Sequence, residues 1–370
     1  MTRKQEVDWM INKGRIRKFF PGANSAYGFF SYYDQIAGPE ANRIIIFKGG
    51  PGAGKSSFMK NIGKILAEQG YELEYHFCSS DNDALDALYI PEKKIALMDG
   101  TAPHVIEPKY PGAVEEIINF GQYWQAEKIR EQKSSIIGLQ EEISRSFQQA
   151  YRMLAAAKLY RDAFEDCFQE TDEAAVLSLT EEILEKILAG EKKPPRSKKT
   201  RTLFASAITP GGAVNYLDTL LDGLSHVYIL NGENKRAKRK VIAKVLHAAV
   251  EHGHFVEIFS CALDPRSLDH LIIPELDMAV INSSWPHNFM LSVDKARVID
   301  VGPLETPFRK APDDPEELKN GFHAAFSKAV SFLSRAKTLH DELEGLYIPY
   351  MLFEQIDSLQ KRTLEEIISS

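Results

Sequence analysis

The segment from Arg43 to Ser56, RIIIFKGGPGAGKS, leaves this chain the fewest ways to fold. Ile44, Ile45, Ile46 and Phe47 form the short β-branched apolar run of a buried parallel strand. The string GGPGAGKS that follows matches GxxxxGK[ST], with Gly49 and Gly54 as the fixed glycines, Lys55 as the lysine and Ser56 as the hydroxyl. Glycines let the backbone turn its N–H groups inward around phosphate oxygens, and a helix expected from about Lys55 to Gln69 adds the positive end of its dipole. Gly49, Gly50, Pro51, Gly52, Ala53, Gly54, Lys55, Ser56 and Ser57 are therefore expected to hold a nucleoside triphosphate, ATP with Mg²⁺. Lys55 should reach the β and γ phosphates, and Ser56 should offer an oxygen to the metal.

A hydroxyl alone does not hold Mg²⁺, so a carboxylate partner is needed. Ile95, Ala96, Leu97 and Met98 read as a second buried strand that ends in Asp99, the Walker B arrangement, which makes Ser56 and Asp99 the expected metal ligands. Gly100 follows Asp99, where many fast motor ATPases carry a glutamate, so slow hydrolysis or phosphoryl transfer is expected rather than rapid turnover.

The chain also contains itself twice. Arg43–His104 laid over His226–His287, at a constant offset of 183 and without a gap, gives 17 identities in 62 positions. Lead-in segments correspond at an offset of 184, pairing Phe20, Gly28, Tyr32 and Asp34 with Phe204, Gly212, Tyr216 and Asp218. Helical tails correspond at 179, pairing Ala150, Leu154, Ala157, Lys158, Asp162 and Glu165 with Ala329, Leu333, Ala336, Lys337, Asp341 and Glu344. The expected domains are residues 1–195, with a helical appendage over about 121–190, and residues 201–370, with one over about 315–370. The polar stretch KKPPRSKKT, Lys192 to Thr200, is the expected linker.

The second loop reads GENKRAKR, so Gly52 becomes Lys235, Gly54 becomes Ala237, Ser56 becomes Arg239 and Asp99 becomes Asn282. Both metal ligands are lost and side chains stand where backbone should approach phosphate, so the second copy is expected to have lost Mg-nucleotide binding. Its basic run from Lys235 to Lys240 reads as a solvated face, with contact to an anion or nucleic acid, or an arginine finger from Arg236 or Arg239, as the sharper alternatives.

Asp81, Asp86, Glu92 and His104 recur in the second copy although the nucleotide machinery does not, which favours capping or packing. The functional alternative places Asp81 or Asp86 at the carboxyl edge of the sheet, where a carboxylate can orient attacking water. With Lys55 and Asp99 they complete the candidate catalytic set. The aromatic cluster Phe29, Phe30, Tyr32 and Tyr33 reads as core, with base stacking as its alternative. Helical periodicity over Gly121–Leu188 and Glu316–Ile368 predicts hairpins or small bundles packed on the cores, or a surface for a protein partner.

Composition narrows the setting. A net charge of −7 argues against a surface that binds nucleic acid throughout. The three cysteines, Cys78, Cys167 and Cys261, suggest neither a disulfide framework nor a zinc site, and a cytoplasmic location is expected. No long uninterrupted apolar run calls for a membrane.

At GGPGAGKSS, together with HFCSSDNDALDALYIPE and MDGTAPHVIEPKYPGAVEEI, the chain resembles a family of bacterial tandem P-loop ATPase-like proteins whose physiological role is not established. The strings FASAITPGGAVNYLD and CALDPRSLDHLIIPE look like that family's second repeat. The resemblance covers almost the full length and implies ATP binding, with no known substrate, although the degraded second loop departs from a pattern of two intact sites. The expected fold is a pair of α/β cores, P-loop NTPase-like and three-layered, facing each other as a pseudo-dimer, each with a helical appendage. Three functions stay open: an ATP-hydrolysing regulatory switch, a nucleotide or small-molecule kinase, and a nucleotide-stabilised binding module without turnover.

Overall fold

A computed structural model describes residues 14–38, 40–102, 105–168, 173–189, 200–233, 235–284, 296–304, 308 and 314–370. His104, Asn234, the expected linker through residue 199, and residues 285–295 lie outside this set. The first repeat runs β1 (Ile16–Phe19), β2 (Gly22–Ser25), β3 (Gly28–Ser31), β4 (Arg43–Lys48), α1 (Lys55–Glu68), β5 (Leu73–Phe77), β6 (Leu85–Ile90), β7 (Ile95–Asp99) and β8 (Glu115–Asn119). Its tail is α2 (Ala126–Glu131), α3 (Lys133–Glu165) and α4 (Glu173–Leu188). The second repeat runs β9 (Thr200–Leu203), β10 (Ser206–Thr209), β11 (Gly212–Asn215), α5 (Leu217–Leu221), β12 (His226–Asn231), α6 (Lys235–Glu251), β13 (Val256–Ser260), β14 (Leu268–Ile273), β15 (Met278–Ser283) and β16 (Ala296–Asp300). It ends in α7 (Pro315–Gly345) and α8 (Phe353–Ser369).

The protein is mixed α/β, with two six-stranded mixed sheets of one topology. Their orders are β1-β5-β6-β7-β4-β8 and β9-β13-β14-β15-β12-β16. In each, one antiparallel strand, β6 or β14, is inserted among parallel neighbours. The repeat extends to irregularities, since the register slips between His76 and Phe77 in one sheet and between Phe259 and Ser260 in the other. The shared Pro91-Glu92 and Pro274-Glu275 begin the turns out of these antiparallel strands. Lys94 and Asp277 close the turns with φ of 54° and 47°, their N–H groups donating to Pro91 and Pro274 carbonyls at 3.2 Å. A proline supplies the fixed φ such a turn needs, which explains its retention in both copies.

The chain divides into two compact units that cut across the expected boundary near residue 195. Described residues within 1–22, Ser31–Gln148 and Phe332–Ser370 make the first, and those within Ala23–Phe30 and Gln149–Ser331 make the second. The repeats have exchanged their helical tails. In the first unit, Met351 and the α8 residues Ile356 and Ile367 join a core with Phe58, Met59, Ile62 and Leu66 of α1 and Ile45, Phe47 and Leu97 of the sheet. In the second, Val176, Ile183 and Ile187 of α4 pack with Val241, Ile242, Val245 and Ala249 of α6. The apolar helical stripes read from the sequence thus do cover the cores, each on the core of the other repeat.

Ile367 is fully buried on α8. Ile367→Ala should lower unfolding free energy by about 2–4 kcal/mol in urea titrations, and it should raise amide exchange in α1, on which that helix packs. A loss under about 0.5 kcal/mol would show that α8 contributes little to the first core.

Candidate functional site

Strand β4 delivers the chain to the loop at the carboxyl edge of the first sheet. It pairs in parallel with β7, so that Phe47 lies opposite Asp99. Asp99 ends β7 at the edge where the loop from β4 to Lys55 begins, and the Lys55 Nζ stands 3.5 Å from Asp99 Oδ2. The loop between holds Gly52 at φ 68° and Gly54, the N-cap residue of α1, at φ 87°. A side chain is strained at both, so this backbone path needs glycine.

Lys55 is buried and donates to the carbonyls of Gly49 at 2.8 Å and Gly50 at 2.9 Å. Thr101, just past β7, ties the strand end to the loop. Its hydroxyl donates to Gly49 O at 3.1 Å, and its N–H donates to Asp99 Oδ1 at 2.8 Å. Ser56 Oγ accepts the Leu85 N–H at 2.9 Å, which uses its acceptor side and fixes the first turn of α1 on β6. The Lys48 Nζ crosses the mouth of the edge, bound to Gly100 O, Ile106 O and Glu107 Oε1. Sequence reasoning missed Thr101 and Lys48, for which a threonine two residues after a strand-ending aspartate is the only local signal.

Other segments of the same unit lie against the loop. Gly52 N donates to Glu344 Oε1 of α7 at 3.2 Å. A Cβ at Gly50 would come within 2.9 Å of Tyr347, one at Gly52 within 2.8 Å of Ile348, and one at Gly54 within 3.4 Å of Phe353. The glycines therefore serve both the turn and this close packing. Nothing near the loop in sequence points to Glu344, whose placement depends on the tail exchange.

Asp81 and Asp86, the other catalytic candidates, have different surroundings. Asp81 caps the turn through the Asp83 N–H at 3.1 Å and pairs with Lys337 of α7 at 3.4 Å. Asp86 is buried and accepts the Tyr33 hydroxyl at 2.5 Å. Burial, then the Asp86 carboxylate, pushes the Tyr33 phenol well above its ordinary pKa, and burial together with the same carboxylate pushes up the Cys78 thiol. Of the aromatic cluster, Tyr33 is thus a packed hydrogen-bond donor, and Phe30 meets Phe204 edge-on in the second unit. Glu92 is exposed and accepts the Glu72 N–H at 3.3 Å. All three cysteines are buried free thiols.

The equivalent loop of the second repeat is closed. Helix α1 starts at Lys55, whereas α6 starts at Lys235, the position equivalent to Gly52. Without glycine at that position and at Ala237, the backbone takes helical dihedrals and three loop positions become an extra helical turn. Lys235 is buried and pairs with Asp269 at 3.0 Å. Burial draws its pKa down, and Asp269 more than offsets this, so the net shift is upward. Lys238 makes the contact that Lys55 makes with Gly49, donating to Gly232 O at 2.6 Å. Arg239 bonds Glu165 of α3, Arg236 pairs with Asp166, and Lys240 lies 3.9 Å from Glu173. The basic run is therefore internally neutralised packing in the second unit rather than the solvated face expected.

Comparison with family models, with curated proteins and with solved structures finds no match to this chain. No helix among the described residues is long and apolar enough to cross a membrane.

The raised Tyr33 pKa sets a pH dependence. A phenol that titrates higher in the folded state stabilises the fold fully below its unfolded value of about 10 and loses that contribution as pH rises toward the folded value. Unfolding free energy should fall with pH above about 10, and Tyr33→Phe should flatten that fall. At neutral pH the same variant should cost about 1–3 kcal/mol, because Asp86 loses its phenol donor. Urea titrations between pH 8 and 11 measure both effects.

Proposed function

We propose that this chain binds a Mg-nucleoside triphosphate, ATP, at Gly49–Ser57 and hydrolyses it slowly as a regulatory switch, with one competent site in a P-loop NTPase-like first repeat and a closed one in the second. The observation that carries this reading is the meeting of Lys55 with Asp99 beyond two parallel strands, around a loop held open by Gly52 and Gly54. Chance glycine turns do not bring a lysine, a hydroxyl and a carboxylate to one sheet edge.

The residues present fit the group. Lys55 rests on two loop carbonyls, a contact that phosphate oxygens would replace at similar geometry and with opposite charge. Ser56 and Asp99 are the hard oxygen donors that Mg²⁺ prefers. Bound Mg²⁺ would supply neutralisation of charge on the β and γ phosphates. Slow turnover follows from the carboxylates at hand. Asp86 is buried against Tyr33, Asp81 is held by Lys337, and Gly100 offers no side chain after Asp99, so none of these three positions is set to orient water strongly.

With purified full-length chain and Mg-ATP, calorimetry should give one site per chain, and phosphate release should run well below about 1 s⁻¹, the low end of enzyme turnover. Lys55→Ala should weaken binding at least about tenfold by removing a charge-assisted contact, with circular dichroism showing that the variant still folds. Asp99→Asn should abolish the dependence of binding on Mg²⁺. Turnover that requires an added acceptor would favour the kinase alternative, binding without turnover the binding module, and no binding by folded wild type would overturn the proposal.

A further inference from the structure

We infer that Glu344 is an autoinhibitory anion, a carboxylate that holds the phosphate loop of the first repeat until a nucleotide displaces it. The inference rests on the reading of that loop as a nucleotide site and adds how the site is regulated.

Three observations carry it. First, Glu344 Oε1 accepts the Gly52 N–H at 3.2 Å, one of the loop amides that a bound phosphate would call on. Second, Glu344 belongs to a continuous cap. Two helical turns before it Lys337 pairs with Asp81, and after it Tyr347, Ile348 and Phe353 approach Gly50, Gly52 and Gly54. A phosphate group at the Gly52 amide and this carboxylate compete for one donor and repel each other, so binding must expel the carboxylate and loosen the segment behind it.

Third, the second repeat contains the same device in a locked form. Glu165 is the residue of α3 equivalent to Glu344, and it bonds the guanidinium of Arg239, which replaces Ser56. Glu165 is 3% exposed, whereas Glu344 is 33% exposed and its nearest imidazole, His340 Nδ1, is 3.8 Å away. A buried carboxylate with a fixed guanidinium partner does not exchange. A partly exposed one on a backbone amide does, because an incoming phosphate makes the stronger contact. Asp81 and Asp264 dock their caps alike, through Lys337 and Lys158, which explains why they persist in both repeats.

The test uses full-length protein. Glu344→Gln keeps the side-chain volume and removes the negative charge, and calorimetry with Mg-ATP should show its Kd at least about tenfold tighter than wild type. Hydrogen exchange on wild type gives a second readout that needs no variant. Adding Mg-ATP should protect residues 49–57 and speed exchange over 344–353. If wild type binds and Lys55→Ala does not, yet Glu344→Gln binds no tighter and 344–353 exchanges no faster, the cap is not inhibitory while the nucleotide site stands. If neither wild type nor Glu344→Gln binds Mg-ATP, the site itself is refuted and the inference falls with it.

Discussion

The reciprocal burial of helical tails is the interaction on which the rest depends. Each core has an exposed helix, α1 or α6, whose apolar face needs a cover, and each cover is supplied by the other repeat. Burying side chains such as Ile183, Ile187, Ile356 and Ile367 stabilises by roughly 1.5–3 kcal/mol apiece, and each of these terms requires both halves of the chain. A repeat could not shed its partner without exposing two apolar faces, its own core helix and its own tail. That dependence gives a physical reason for a tandem chain to keep a second copy whose loop has closed.

The divergence of the two loops is a backbone effect before it is a chemical one. Glycine at 52 and 54 permits positive φ, and the helix is thereby held back to Lys55. Lysine and alanine at the matching positions remove that permission, so the helix starts three positions sooner and the cradle becomes helix. Arg239 then meets Glu165, and Lys235 meets Asp269, which is how the buried positive charge is tolerated. The loss of glycine at these two positions removes the backbone permission, and the ion pairs hold the resulting helix in place.

Much of the local structure was legible in the sequence because short-range rules govern it. The apolar run before GGPGAGKS, the helix from Lys55 and the strand ending at Asp99 lie where periodicity and turn residues put them. The offset of 183 placed β12, β13 and β14 at the exact counterparts of β4, β5 and β6. The antiparallel insertion of β6 and the tail exchange were not legible. Periodicity says that α4 and α8 have an apolar face and is silent on which of two similar cores covers it. For the same reason Glu344, 292 positions from the glycine it contacts, carried no local signal. The basic run from Lys235 misled because its acidic partners, Glu165, Asp166 and Asp269, come from elsewhere in the chain.

The exchange also bears on what nucleotide occupancy could do. Helix α7 is continuous from Pro315 to Gly345; residues through Ser331 belong to the second unit and those from Phe332 to the first. Were a phosphate to take the place of Glu344, the change would fall within the first unit, and its size would be the difference in affinity of the loop for phosphate and for carboxylate. The second repeat's counterpart, α3, is pinned through Glu165 to Arg239 and cannot respond in this way. The two caps thus differ at one contact: Glu344 is a partly exposed carboxylate on a backbone amide, whereas Glu165 is buried on a guanidinium.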